Sequence, residues 1–151
     1  LPVPSGLTAV VIHPDLEIRT SHARELLGDT VALGDAVRQS ANLGAFVDAL
    51  HRGDFALLAR SLEDRIAEPR RAALVPGFAA IKRAALDAGA LGSSFSGSGP
   101  SMFALCENRI VAERVGAAMS ASVREHVGGD SQLYVSAIVP HGARVVSACA
   151  T

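Results

Sequence analysis

Residues 92–101, GSSFSGSGPS, are the stretch of this chain best suited to contact a ligand. Glycine and serine dominate it between two apolar runs, so its backbone can take conformations closed to other residues and it carries many small donors. Successive N–H groups in such a loop can form an anion-binding nest. The stretch nevertheless fails the better-known phosphate templates. No Gly-Lys-Ser/Thr follows it, and Met102 stands where a GxGxxG pattern needs its third glycine. A strand rather than a helix is expected next, so no helix dipole is aimed at a phosphate from here. Composition alone leaves an ordinary hairpin turn and a ligand-contacting loop both open.

Other polar groups offer less. Asp64 and Glu68 could form a carboxylate pair for acid–base work, but their i, i+4 spacing beside Arg60 and Arg65 reads more simply as helix ion pairs. Orienting Arg71 is a further use for them. The five histidines, His13, His22, His51, His126 and His141, are scattered, and Cys106 and Cys149 form no CxxC, so neither a metal site nor a disulfide scaffold is expected. Cys106 closes an apolar run and should be buried. Arg24 and Arg71, taken alone, read as solvated arginines. No side chain stands out as a general base, and no catalytic residue is assigned.

The elements that must carry these groups follow from periodicity. Residues 7–13 (LTAVVIH) form a β-branched run closed by Pro14, a buried strand. Thr20 or Ser21 can cap a short helix ending at Gly28. Residues 33–51 place Leu43, Phe46, Val47 and Leu50 on one helical face, and Gly53-Asp54 stops that helix and caps the next. The next helix, carrying Phe55, Leu58, Leu62 and Ile66, should end near Glu68-Pro69. Residues 78–88 read as a helix, 91–96 and 102–106 as strands around the glycine loop. Asn108 can cap a helix bearing Val111, Val115, Ala118 and Met119. Residues 132–137 and 143–147 read as strands. The order predicts an α+β fold, a ferredoxin-like split β-α-β sheet with extra helices in the first crossover and helices on one face.

Composition bounds the rest. A chain of 151 residues suggests a single domain, residues 1–151. With 49% hydrophobic but only 4% aromatic residues, its core must be built from Ala, Leu, Val and Ile. Fourteen basic against 15 acidic residues give a net charge of −1, which argues against nonspecific nucleic-acid binding and against disorder. No apolar run approaches the roughly 18–20 residues of a membrane helix, and the start LPVPSG is not a signal peptide, so no membrane partner and a cytoplasmic setting are expected. The first residue is not Met, which suits a chain beginning inside a longer protein.

Three blocks carry a resemblance. FSGSGPSMFAL (residues 95–105) resembles the third motif of the GHMP kinases, the family of galactokinase, homoserine kinase and mevalonate kinase. DRIAEPRRAALVP (residues 64–76) and HPDLEIRTSHAREL (residues 13–26) resemble two further blocks of its homoserine-kinase branch. The resemblance covers essentially the whole chain but only the C-terminal half of the family's length. It implies a GHMP kinase C-terminal domain whose N-terminal ATP-binding half, with the phosphate loop, is absent. Phe95 departs from the family, where an aliphatic residue is more usual, and should alter packing under the loop more than chemistry.

What the resemblance implies for the site is specific. Arg24 and Arg71 match arginines that hold the amino-acid substrate, a role that suits a guanidinium because its fork clasps a carboxylate through two parallel hydrogen bonds. Gly97, Ser98, Gly99, Pro100 and Ser101 should support the phosphate loop. ATP with Mg²⁺ would be held mainly by the other half, and the chain itself would hold no metal. The implied partners are homoserine, the chain's own N-terminal domain and, as an open option, a second copy of the chain. The implied reaction phosphorylates the homoserine hydroxyl on the route to threonine. Two alternatives stay open, another GHMP small-molecule kinase and a non-catalytic ferredoxin-like module that binds an amino acid.

Overall fold

The computed structural model describes residues 1–142 and 145. Among the described residues, four strands form one antiparallel sheet: β1 (Thr8–Pro14), β2 (Gly92–Phe95), β3 (Met102–Cys106) and β4 (Ser131–Ala137), in the order β2-β3-β1-β4. Between β1 and β2 run five helices: α1 (Thr20–Glu25), α2 (Leu33–Arg52), α3 (Phe55–Ser61), α4 (Ala67–Arg71) and α5 (Phe78–Asp87). A 3-10 turn, Ala72–Leu74, follows α4, and α6 (Arg109–His126) joins β3 to β4. This is the ferredoxin-like plan with an enlarged first crossover. The strand expected at residues 143–147 lies almost wholly outside the described residues, as does Cys149.

Register divides the sheet into two faces. Ile12 pairs with Met102 and Val10 with Ala104, and these side chains, with Cys106, bury against Phe78, Ile81 and Ala85 of α5 and Val115, Met119 and Val123 of α6. The alternate residues Leu7, Ala9, Phe103 and Leu105 point the other way, as a period of two requires. They meet Ala49 and Leu50 of α2 and Leu58 of α3. Helices therefore pack against both faces, not one. The second pair is long enough to fold back under the sheet because Gly53, at φ 65°, terminates α2 in the left-handed conformation. The Asp54 carboxylate then accepts the Leu57 N–H at 2.8 Å and starts α3.

Several local expectations need correction. On α2, Leu43 is 65% exposed, so the buried stripe runs instead through Phe46, Ala49 and Leu50. Arg19, without a side-chain bond, occupies the N-cap of α1 in place of Thr20 or Ser21. The helix from Phe55 ends at Ser61, and a new one begins before Pro69. Asp64 explains the restart: its Oδ1 accepts the Ile66 and Ala67 N–H groups at 2.8 Å each, and its Oδ2 accepts that of Glu68 at 3.2 Å. Pro69 comes next and has no N–H to satisfy, so it fits the first turn of α4 without strain. Asn108, by contrast, caps α6 as its sequence suggests, accepting the Val111 N–H at 2.9 Å.

Candidate functional site

The cap that restarts the chain at α4 also delivers Arg71. Its side chain leaves the last residue of α4 toward the protein interior and is only 7% exposed. Nε donates to the Ala23 carbonyl at 2.7 Å, and Nη1 lies 3.5 Å from the Gly97 carbonyl. Nη2 makes no hydrogen bond among the described residues. It is not a buried orphan either, because only the Ser93 hydroxyl is buried without a partner among those residues. One end of the guanidinium thus reaches solvent while the other is fixed to backbone.

The acceptor on α1 belongs to the peptide joining Ala23 to Arg24. Ala23 is fully buried, and Arg24 beside it is exposed with no hydrogen-bond or ion-pair partner among the described residues. Arg24 and Arg71 are thereby brought to the same peptide group. Arg70 points elsewhere, donating to the Thr30 carbonyl at 2.8 Å.

The glycine loop closes the site. Ser96 N–H donates to the Ser101 carbonyl at 2.8 Å, and Gly97 and Gly99 take positive φ, 68° and 81°. Ser98 lies with its hydroxyl 3.5 Å from that of Thr20, at the start of α1. Ser101 shares a 2.8 Å hydrogen bond with Nδ1 of His13, at the end of β1. Pro100 is buried, and Phe95 lies under the loop, stacked on Phe78 with ring centroids 4.4 Å apart. The loop is a β2–β3 hairpin connection, and it is also touched from three sides by polar side chains. Arg71 reaches this stretch at the Gly97 carbonyl, and its other acceptor is the peptide that leads into Arg24. Sequence reading did not link His13 and Thr20 to the loop, because their loop partners are 88 and 78 residues away, with no local pattern to betray them.

The carboxylates do something other than pair with nearby arginines. Asp64 is a helix cap. Glu68 accepts Lys82 Nζ on one oxygen at 2.5 Å and the Ser94 hydroxyl on the other at 2.7 Å, tying α4 to α5 and to β2. Neither orients Arg71, and Arg65 pairs instead with Glu63. The i, i+4 ion pairs fail because residues 62–66 are not helical.

Arg71 keeps one guanidinium nitrogen free of partners among the described residues, beside the glycine loop, donor chemistry that suits an anionic group. Among the described residues, no group of three or more His, Cys, Asp or Glu side chains could hold a metal ion, and no helix is long and apolar enough to cross a membrane. The loop runs directly into β3, with no helix N-terminus to receive a phosphate. The described residues do not fit a nucleotide and its metal by themselves.

Comparison with known proteins gives the family of the chain. The chain is 46% identical over 95% of its length to a homoserine kinase from Chlorobaculum tepidum, covering 45% of that protein. It is 46% identical over 97% of its length to one from Chlorobium phaeovibrioides, covering 46% of it. The crystal structure of homoserine kinase from Cytophaga hutchinsonii superposes with a TM-score of 0.89 at 46% identity, over 91% of this chain and 44% of that one. The chain thus spans less than half the length of these relatives. The family model described as GHMP kinases C terminal matches residues 46–125, more than half of the chain. This chain belongs to the GHMP kinase C-terminal family.

Proposed function

We propose that this chain is the C-terminal, substrate-side part of a cytoplasmic, ATP-dependent homoserine kinase, which converts homoserine and ATP to O-phosphohomoserine and ADP for threonine synthesis. The observation that carries this reading is Arg71. A planar donor fork is held in a buried slot beside the family's glycine loop, in a chain 46% identical to proteins named homoserine kinase.

Phosphoryl transfer asks mainly for positioning and for stabilisation of charge on the transferring oxygens. In this reading the solvent-facing end of Arg71, with Arg24, clasps the α-carboxylate and so presents the side-chain hydroxyl. The loop of Gly97, Ser98, Gly99, Pro100 and Ser101 packs against the phosphate-binding loop of the N-terminal half and keeps its shape. ATP and Mg²⁺ belong mainly to that half, and no residue described here is assigned as a general base.

The test is product formation by the intact kinase. Homoserine and ATP should give O-phosphohomoserine, detected by phosphorus NMR, while mevalonate and galactose give no phosphorylated product. A preference for another alcohol would move the chain to a different branch of the family. The 151-residue chain alone should transfer no phosphate, and turnover by it would place the nucleotide site on these residues. Amino-acid binding in a parent protein that lacks any phosphate loop would instead identify a regulatory module.

A further inference from the structure

We infer that Arg71 is a positioning residue for Arg24 and the glycine loop, acting whether or not a carboxylate is bound. The inference rests on the homoserine kinase reading for its kinetic consequences and on geometry alone for its structural ones. Two backbone segments meet at this one guanidinium, the Ala23–Arg24 peptide at 2.7 Å from Nε and the Gly97 carbonyl at 3.5 Å from Nη1. Those acceptors lie 48 and 26 residues from Arg71 along the chain, so no local element fixes their separation. Ala23 is fully buried and Arg71 nearly so, which leaves little water to replace the bond between them, while the bond to Gly97 is only partly buried.

A carboxylate ligand would use the solvent-facing end of the guanidinium, since the Nε edge is already taken by protein. The two roles therefore occupy different atoms of one side chain. Lysine, a point donor on a flexible stem, cannot span both carbonyls and still offer a fork. Fixing α1 also fixes Thr20 beside Ser98, a second tie between the carboxylate side of the site and the loop.

The two roles separate when the substrate lacks its carboxylate. Wild type and Arg71→Lys forms of the intact kinase are compared on homoserine and on 3-aminopropan-1-ol, which keeps the alcohol and amine. If Arg71 only gripped the carboxylate, both enzymes would turn over the amino alcohol equally. The expected result is a loss of about tenfold in kcat on the amino alcohol, the scale of one charge-assisted hydrogen bond. Guanidinium added to Arg71→Ala should restore part of that kcat. Equal kcat on the amino alcohol overturns the positioning role and leaves the homoserine reading intact. No product from wild type with homoserine defeats that reading instead.

Hydrogen exchange then judges the positioning role without activity. In Arg71→Lys the Ser96 and Gly99 amides should exchange at least about fivefold faster, while amides in the β1–β4 pairing stay unchanged. Loop exchange equal to wild type overturns the inference.

Discussion

The Phe95 ring lies 3.1 Å from the point where a Cβ on Gly99 would stand, whereas a Cβ on Gly97 would meet nothing within 4 Å. Both glycines have positive φ, so any side chain at either is strained by roughly 1–2 kcal/mol. Only at Gly99 does it also press on a ring, one that is stacked on Phe78. Gly97→Ala should destabilise the chain by about 1–2 kcal/mol and Gly99→Ala by more, about 2–4 kcal/mol. Trimming the ring in the double variant Gly99→Ala/Phe95→Leu should recover part of the difference, seen as non-additivity above about 0.5 kcal/mol in urea unfolding. Equal losses for the two alanine variants would mean that Phe95 yields freely.

In the intact kinase the same loop gives a kinetic prediction. Gly97→Val has open space around it, so it should lower kcat well beyond its effect on stability if the loop braces a phosphate-binding neighbour. A variant that melts earlier but keeps wild-type kcat would show a plain hairpin turn.

Most of the fold was legible because its signals are local. The β-branched run of β1, the αL glycine at Gly53 and the caps Asp54 and Asn108 each fix an element from neighbouring residues. The break between α3 and α4 was harder to see. It depends on Asp64 competing for three backbone donors, while the apolar spacing of Leu58, Leu62 and Ile66 continues as though the helix did too. The loop stood out by composition, and a role for it and for the arginines came from resemblance to a family, but the bond from Arg71 to Ala23 had no sequence signal. Arginine is solvated by default, and only tertiary packing buried this one. Glu68 deceived for the same reason, its true partners Lys82 and Ser94 being 14 and 26 residues away.

Glu68 should matter to stability because both its oxygens are engaged in a partly shielded place, with side-chain exposure of 16% against 23% for Lys82. Removing the carboxylate leaves an ammonium and a hydroxyl short of partners. Glu68→Ala should cost about 1–3 kcal/mol and Ser94→Ala about 1 kcal/mol. Lys82→Met should cost less than Glu68→Ala, since Glu68 keeps Ser94. Urea midpoints at constant m would report these differences, and a neutral Glu68→Ala would show that water replaces the carboxylate.

Burial in the sheet pushes the Cys106 thiol from 9.0 up to about 11, with the nearby Arg114 charge opposing part of the rise. The folded state therefore holds its proton longer than the unfolded one. Between about pH 9 and 11 the unfolded chain ionises first, so stability falls as pH rises, by up to about 1.4 kcal/mol per pH unit. Below pH 9 this contribution is fully present. Cys106→Ala should flatten that segment of the pH–stability curve relative to wild type. At pH 8 iodoacetamide should leave Cys106 unmodified in the native protein and alkylate it after unfolding, as read by peptide mass spectrometry. Rapid native-state labelling would mean that the α6 side of the sheet opens far more readily than its packing implies.

Arg24 and Arg71 should respond to mutation differently in stability and alike in substrate KM. Arg24 is exposed and makes no bond among the described residues, so Arg24→Ala should change stability by less than about 0.5 kcal/mol. Arg71→Ala strips a donor from the buried Ala23 carbonyl and a weaker one from the partly buried Gly97 carbonyl, and should cost about 1–3 kcal/mol. Both should raise the homoserine KM of the intact kinase, because in the proposed function each supplies positive charge to the same carboxylate. A lost charge-assisted bond of about 1.5–3 kcal/mol corresponds to roughly tenfold to somewhat over a hundredfold. For Arg24→Ala the rise should fall almost wholly on homoserine KM, with kcat and the KM for ATP nearly constant. Preference for homoserine over 3-aminopropan-1-ol should shrink by the same factor, since the variant reads the carboxylate less well. Arg24→Lys should recover part of the loss, because an exposed site can use charge without the fork. An Arg24→Ala enzyme with unchanged homoserine KM and unchanged preference would return Arg24 to the solvated majority and leave Arg71 to grip the carboxylate alone.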